Sequence, residues 1–225
     1  MPVENERKYV LDDHDGSLEG FLQGGAVPGV AVYDVLQGYL DRDSRVRVFR
    51  PAAGSPGGMP FRFCGSDPAG WQIMPGDELV FSFKRKVAGR QIEVECPLQP
   101  SDMAALLPTA AMFVRKRRFK IADGHVAWDI DFFKDPRGAS YFALAEAEMP
   151  EGMVSPRRMP GFVRAHMLLD VGSGGGFGNR KLADPEQVRK AVRLLRKQAT
   201  ARGDAPSCDP ADYFEAGTDG MAMAA

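Results

Sequence analysis

Like-charged side chains recur in pairs, spaced two residues apart, in seven separate segments of the sequence. Because the side chains of a strand alternate between its two faces, each pair would lie on a single face of a β-strand. The alternate positions are frequently apolar, as at Val46 and Val48. The seven sets are Glu4 and Glu6 (followed by Lys8), Arg45 and Arg47, Lys84 and Lys86, Glu93 and Glu95, Lys116 and Arg118, Asp129 and Asp131, and Glu146 and Glu148. The pattern therefore predicts strands with one charged face and one apolar face.

A sandwich whose charged faces point to solvent is consistent with this pattern, but a closed sheet explains more of it. In a closed sheet one face lines a central cavity while the other packs against outer helices. Lys and Arg side chains bind the oxygens of a polyphosphate, and clustered carboxylates bind hard divalent cations. Charges of both signs in one cavity also reduce the cost of burying either alone. The sequence therefore predicts a cavity for a metal-bound oligophosphate.

Short β-like runs, separated by Gly, Pro, Asp and Ser, would position these charges. Strands are expected near residues 3–11, 30–40, 44–50, 79–87, 90–97, 113–121, 125–133 and 141–149, with a weaker ninth at 165–171. One helix is predicted at "PSDMAALL", where Ser101 or Asp102 can cap the first turn. Another is predicted from 184 to about 202, because Asp184 can cap it, Pro185 fits the first helical position and Gly203 ends it.

Residues 1–182 are predicted to form one domain, with long insertions at 12–29 and 51–77 that could cap one mouth of the cavity. Residues 183–202 form the C-terminal helix, and the acidic segment 203–225 is predicted to be disordered. Trp71, in the second insertion, could either stack on the ring of an organic substrate or anchor the loop.

Composition places the 225-residue chain among globular proteins, and its formal net charge of −1 indicates no partner. No apolar run reaches transmembrane length, and the N-terminus lacks the layout of a signal peptide.

The cysteines, Cys64, Cys96 and Cys208, lack metal-ligand spacing, so Cys64 and Cys96 are expected to be small packing residues in a reducing cytoplasm. "GSGGGFG" at 172–178 lacks the Gly-Lys-Ser/Thr of a P-loop. A cytoplasmic protein that binds neither membranes nor nucleic acid is expected.

"ENERK" at 4–8 opens a series of motifs that continues through "LQGYL", "RVRV", "FSFK", "EVE", "KRRF", "WDID" and "LAEAEM" and ends with "FGNRKL" at 177–182. In this order the series resembles the CYTH superfamily, the triphosphate tunnel metalloenzymes. "ENERK" matches the ExExK signature of that family, and "FGNRKL" is similar to its closing aromatic-x-Asn-x-x-Leu segment. The resemblance covers roughly residues 3–182. The family includes inorganic triphosphatases, thiamine triphosphatases, class IV adenylate cyclases and fungal-type RNA triphosphatases.

The resemblance implies an α+β fold in which an eight-stranded antiparallel β-barrel forms a tunnel, open at both ends and flanked by helices. It implies Mg2+ or Mn2+ as the cofactor, and the matching metal-binding positions are Glu4, Glu6, Asp131 (or less well Asp129), Glu146 and Glu148. The positions that match triphosphate-binding residues are Lys8, Arg45, Arg47, Lys84, Lys116 and Arg118. The matching catalytic set is Lys8, Glu4 and Glu6. Glu93 and Glu95 match an acidic pair that would hold basic residues in place, while Gln91 stands where the family often has an arginine.

Inorganic triphosphate is the first expected substrate, and its hydrolysis would yield diphosphate and phosphate. Thiamine or nucleoside triphosphates are alternative substrates, and a class IV-type adenylate cyclase reaction is an alternative activity. A non-catalytic module that binds polyphosphate is a third alternative, and a homodimer is left open.

Overall fold

The computed structural model describes residues 5–52, 61–65, 71–88, 90–172 and 177–201. Within these residues there are nine strands: β1 (Glu6–Leu11), β2 (Ala31–Tyr39), β3 (Ser44–Pro51), β4 (Glu78–Val87), β5 (Arg90–Pro97), β6 (Met112–Asp123), β7 (Val126–Lys134), β8 (Ser140–Glu148) and β9 (Met167–Gly172). The α-helices described are α1 (Ser17–Gln23), α2 (Pro100–Leu106), α3 (Gly161–His166) and α4 (Pro185–Ala201). Short 3-10 turns occupy Leu107–Thr109 and Lys181–Ala183. None of the described helices is both long and apolar enough to cross a membrane.

All nine described strands belong to one antiparallel sheet, in the order β5-β4-β3-β2-β6-β7-β8-β1-β9. This confirms the α+β class with an antiparallel sheet, but the expected closed barrel of eight strands is wrong. The sheet is open between its edge strands β5 and β9 within the described residues. The physical reason lies at β1, which pairs with β8 on one side and with β9 on the other. Since β9 occupies the remaining edge of β1, that edge cannot pair with the opposite end of the sheet.

The open sheet nevertheless curls strongly, so that its concave face surrounds a cavity. Lys84 Nζ on β4 lies 3.8 Å from Glu6 Oε1 on β1, although these are the second and eighth strands in the order. The cavity has a volume of about 680 Å3. The curvature therefore brings together side chains from strands that never exchange a hydrogen bond.

The convex face carries the alternate, apolar residues of the same strands and packs against α1 and α3. Tyr9, Trp128 and Phe132 are almost fully buried there, beside Leu18 of α1 and Phe162 of α3. Burying each large apolar side chain contributes about 1.5–3 kcal/mol to folding. This layer stabilises the curved sheet and keeps its charged face turned inward.

The concave face becomes apolar toward one end of the strands. Past the charged residues of β1 and β7 stand Val10 and Phe133, which belong to one buried cluster with Leu144. Leu182 and Val192, from the C-terminal segment, pack into this cluster. The expectation of a tunnel open at both ends is therefore corrected, since the C-terminal segment covers the apolar end of the concave face.

Both insertions lie against the sheet where they are described. The first, 12–29, contains α1, whose Glu19 accepts hydrogen bonds from Lys134 Nζ at 2.6 and 2.7 Å. In the second, Trp71 is 8% exposed and its Nε1 donates to the Cys64 carbonyl oxygen at 3.0 Å. Trp71 therefore anchors its loop on the convex side and does not line the cavity.

Cys64 and Cys96 are exposed, so the expectation that they are packing residues is wrong.

The C-terminal helix α4 begins as its sequence predicts. Asp184 Oδ1 accepts hydrogen bonds from the backbone N–H groups of Glu186 and Gln187 at 3.0 and 3.2 Å, and Pro185 is the first helical residue. These contacts satisfy donors that the first turn leaves without intrahelical partners. The predicted disordered segment 203–225 and Cys208 lie outside the described residues.

Candidate functional site

The cavity is lined by charges of both signs in nearly equal numbers. Among the described residues, eight Lys or Arg and seven Asp or Glu side chains line it. The cations are Lys8, Arg42, Arg45, Arg47, Lys84, Arg118, Lys120 and Arg180, and the acids are Glu6, Asp43, Glu78, Glu93, Glu95, Glu146 and Glu148. Because the two signs almost cancel, the positions of the charges decide what the cavity can bind.

One wall of the cavity is cationic and consists of Arg45 and Arg47 on β3 and Lys84 on β4, here called the cation wall. Glu93 on β5 contacts all three: it pairs directly with Arg45, its Oε1 lies 3.7 Å from Arg47 NH2, and its Oε2 lies 3.4 Å from Lys84 Nζ. Arg47 also pairs with Glu95. The two glutamates of β5 thus hold the cation wall in place, as their match to the family's acidic pair implied.

The cation wall keeps positive charge that the protein does not fully compensate. The buried Nε atoms of Arg45 and Arg47 have no hydrogen-bond partner in the described part of the chain. Burial, together with the nearby charge of Arg45, lowers the pKa of Arg47 to about 10. A buried donor without an acceptor costs about 1–3 kcal/mol. An anion that supplied oxygen acceptors here would remove that cost.

Lys8, Glu146 and Arg118 form a second group, where β1, β8 and β6 face the cavity. Lys8 Nζ pairs with Glu146 Oε1, and Arg118 NH2 lies 3.2 Å from Glu146 Oε2. Lys8 Nζ also lies 2.9 Å from Glu6 Oε1. Burial lowers the pKa of Lys8, but Glu146 and Glu6 outweigh it and raise that pKa above its ordinary value. Lys8 is therefore positively charged at neutral pH.

Lys116 and Asp131 lie beneath the floor of the cavity and are not among its lining residues. Asp131 is fully buried; it pairs with Lys116 and accepts hydrogen bonds from Arg118 Nε and NH2, each at 2.7 Å. Burial and the neighbouring Arg118 charge lower the pKa of Lys116 to about 8. Lys116 and Asp131 were predicted to bind phosphate and metal, but neither reaches the cavity. Asp131 instead accepts hydrogen bonds from Arg118, and Lys116 pairs with Asp131.

Carboxylates gather on β1, β7 and β8 opposite the cation wall. In the register of the sheet Glu6 stands beside Glu148, and Asp129 stands beside Glu146. Partial burial and the charge of Asp129 raise the pKa of Glu148. Asp129 Oδ2 pairs with Arg118, and its buried Oδ1 lies 3.5 Å from Lys120 Nζ but accepts no hydrogen bond from the described residues. Arg118, Lys120 and Lys8 pair with Asp129, Glu146 and Glu6, so Glu148 is the carboxylate of this group whose charge is least compensated.

The acidic cluster fits a divalent cation that is shared with a phosphate ligand. Within the described residues no three His, Cys, Asp or Glu side chains are placed to hold a metal ion by themselves, and the predicted ligand Glu4 lies outside them. Mg2+ usually binds through one or two carboxylates together with substrate phosphates rather than in an all-protein cage. Glu148, which lines the cavity, matches that mode of binding, whereas Asp129 is buried, paired with Arg118 and Lys120, and does not line the cavity.

Several lining residues were missed by the sequence analysis. Lys120 continues the alternation of Lys116 and Arg118, so the pattern could have identified it. Arg180 lies in the "FGNRKL" segment and its guanidinium carbon is 6.0 Å from the centre of the Tyr39 ring. Arg42 sits in the β2–β3 turn, where no periodic pattern exists to reveal it.

Comparisons with known proteins find similarity in solved structures alone. No family model matches the chain, and no curated protein matches it. A Pyrococcus horikoshii protein is 12% identical, with coverage of 89% of this chain and 90% of that one and a TM-score of 0.39. A Vibrio parahaemolyticus protein described as a "putative adenylate cyclase" is 12% identical, with coverage of 67% and 78% and a TM-score of 0.38. A Bacillus halodurans protein with the same description is 12% identical, with coverage of 65% and 80% and a TM-score of 0.35.

Proposed function

We propose that the protein hydrolyses a triphosphate to diphosphate and phosphate in this cavity, with inorganic triphosphate as the first substrate and Mg2+ or Mn2+ as the cofactor. The observation that carries the proposal is a cavity of about 680 Å3 with a cation wall whose charge Glu93 and Glu95 compensate only in part, and with a weakly compensated carboxylate at Glu148. A metal-bound triphosphate carries both complementary charges. The family resemblance of the motifs supports the same assignment.

The cation wall and Arg118 would bind the phosphate oxygens. Arginine guanidinium groups donate two parallel hydrogen bonds to phosphate, and such charge-assisted bonds are roughly twice as strong as neutral ones. Arg45 and Arg47 both line the cavity, and their buried Nε atoms have no hydrogen-bond partner among the described residues. Glu93 fixes the direction of the wall, so little side-chain entropy remains to be lost when the anion binds.

The reaction needs charge neutralisation and orientation more than covalent chemistry. Water attacks the terminal phosphorus, the bond from that phosphorus to the bridging oxygen breaks, and diphosphate leaves as phosphate forms and a proton passes to solvent. Lys8, held by Glu146 and Glu6, would orient the terminal phosphate or the attacking water. A divalent cation held by Glu6, Glu146 and Glu148, with Glu4 added by the resemblance, would neutralise phosphate charge and lower the pKa of a bound water.

The test is phosphate release from tripolyphosphate, thiamine triphosphate and ATP in Mg2+ or Mn2+. Glu148→Gln should reduce turnover at least about 10-fold, because it removes a carboxylate that would hold the divalent cation. Glu151→Gln is the matched control, since Glu151 is exposed, lies three residues further on and does not line the cavity. Full activity of Glu148→Gln would contradict the metal assignment.

The same panel separates the other activities. Pyrophosphate release from ATP would identify a cyclase and reject hydrolysis as the reaction. Tight triphosphate binding in calorimetry, without turnover in either metal, would identify a non-catalytic module and likewise reject the proposal.

A further inference from the structure

The side chains expected to bind phosphate and those expected to bind metal are ion-paired with one another. A continuous series of contacts, here called the ion-pair chain, runs through Arg118, Glu146, Lys8, Glu6, Lys84 and Glu93. Glu146 contacts both Arg118 and Lys8, while Glu93 lies 3.4 Å from Lys84. The sign of the charge alternates at every step. In the absence of ligands, each group is therefore neutralised by its neighbours.

Glu6 is the central member of the ion-pair chain. One of its oxygens, Oε1, lies 2.9 Å from Lys8 Nζ and 3.8 Å from Lys84 Nζ. These contacts join β1 to β4 across the cavity, between strands that are not paired in the sheet. Glu6 thus serves as a counter-ion to two of the cations that would otherwise face a phosphate.

Either ligand alone would have to separate these pairs without replacing the lost charge. A triphosphate that drew Lys8 and Lys84 away would leave Glu6 unpaired and facing the anion. A divalent cation that drew Glu6 away would add positive charge beside Lys8 and Lys84 and leave them with only Glu146 and Glu93 as partners. Breaking a buried or partly buried pair without replacing the partner is costly. When both ligands enter together, phosphate takes the lysines and the cation takes the carboxylates, so every group exchanges one partner for another.

We propose that Glu6 is an internal counter-ion of Lys8 and Lys84, and that triphosphate and a divalent cation consequently bind with strong positive coupling. This rests on the proposed assignment of the cavity to triphosphate, but it concerns binding and not turnover. Coupling between two sites is reciprocal, with typical factors of about 5-fold to 150-fold. We expect a factor in this range, in addition to the affinity of the cation for triphosphate in solution.

The test uses imidotriphosphate, whose P–N–P bridges resist hydrolysis, and isothermal titration calorimetry of the full chain. In the wild type, Mg2+ should tighten imidotriphosphate binding by at least about 5-fold over binding in chelator, after correction for the complex in solution. Glu6→Gln should tighten binding in chelator by a similar factor, because Lys8 and Lys84 lose the counter-ion that they share, and should reduce the effect of Mg2+. Glu151→Gln removes the same charge outside the cavity and should leave both affinities unchanged.

A second variant tests whether a lysine partner of Glu6 weakens the binding of the cation. Lys84→Met removes one partner of Glu6, so Mg2+ should bind more tightly in the absence of any anion. Circular dichroism melting establishes that each variant is folded. Any one of three results would overturn the inference. The wild type could bind imidotriphosphate equally well in chelator and in Mg2+, folded Glu6→Gln could bind it more weakly in chelator, or folded Lys84→Met could bind Mg2+ more weakly. Coupling without hydrolysis would reject only the proposed function, whereas hydrolysis with uncoupled binding would reject only this inference.

Discussion

Arg47 and Arg50 lie three residues apart on β3 and belong to opposite faces of the sheet, so they test the assignment of those faces. Arg47 lines the cavity. Arg50 lies on the convex side, where its Nε and NH2 donate to the two oxygens of Asp77 at 2.8 and 2.7 Å. We compare Arg47→Met with Arg50→Met, since methionine keeps an unbranched apolar stem and removes the charge.

Arg47→Met should weaken phosphate binding without unfolding the protein. A pKa of about 10, below the ordinary 12.5, means that the folded protein disfavours the charged guanidinium by roughly 3 kcal/mol relative to water. This cost is fully present at neutral pH and declines only as the pH rises from about 10 to 12.5, so removing the charge relieves it at neutral pH. The variant loses a hydrogen bond to Ser82 at 2.7 Å, worth about 1 kcal/mol, and its pair with Glu95, whose half-exposed carboxylate remains hydrated. We therefore expect the free energy of unfolding to be unchanged or higher. Imidotriphosphate affinity should fall by about 10-fold or more, because a hydrogen bond to a charged group contributes about 1.5–3 kcal/mol.

Arg50→Met should show the reverse behaviour. It leaves the buried carboxylate of Asp77 without its cation, which typically costs about 3–5 kcal/mol. Triphosphate affinity of the folded molecules should stay within about 2-fold of the wild type, since Arg50 has no part in the cavity lining. Urea unfolding measures the stabilities and calorimetry measures the affinities. The reasoning is refuted if Arg47→Met loses stability while keeping its affinity, or if both variants weaken binding equally.

Three further predictions follow from the structure. Lys116→Met should change triphosphate affinity by less than about 3-fold in calorimetry. Lys116 lies under the cavity floor, and Asp131 keeps its hydrogen bonds to Arg118 when Lys116 is removed. An affinity loss as large as that of Arg47→Met would instead show that Lys116 binds the phosphate. Lys134→Met should lower the free energy of unfolding by about 3–5 kcal/mol in urea, because it leaves Glu19 buried without its cation, while phosphate release per folded molecule should not change. Burial raises the pKa of Asp13 to about 6, so its stabilising contribution is present below about pH 4 and is lost as the pH rises through 6. The stability difference between wild type and Asp13→Asn should shift accordingly between pH 5 and pH 7, and an identical difference at both values would contradict the environment assigned to Asp13.

Much of the sheet was predictable because period-two alternation is a local property of the chain. The predicted strand 113–121 corresponds to Met112–Asp123, and the predicted strand 125–133 corresponds to Val126–Lys134. The turn between them uses Gly124 at φ +60, a left-handed conformation that favours glycine. Helices α1 and α3 were not predicted, because six or seven residues make fewer than two turns and give little 3.6-residue periodicity. The covering of one end by Leu182 and the pairing of β9 with β1 depend on distant residues, so no local pattern reveals them.

The sequence by itself determined which side chains share a face, and hence that a charged face exists. Arg118, Lys116 and Lys120 are equivalent in that pattern, and only the tertiary structure separates them. Arg118 and Lys120 reach the cavity, whereas Lys116 is 2% exposed and paired with Asp131 below it. The physical reason is that alternation fixes the direction of a side chain but not its depth. Depth depends on how strongly the whole sheet curves and on where the C-terminal segment covers it, and both are set by contacts between residues far apart in the chain.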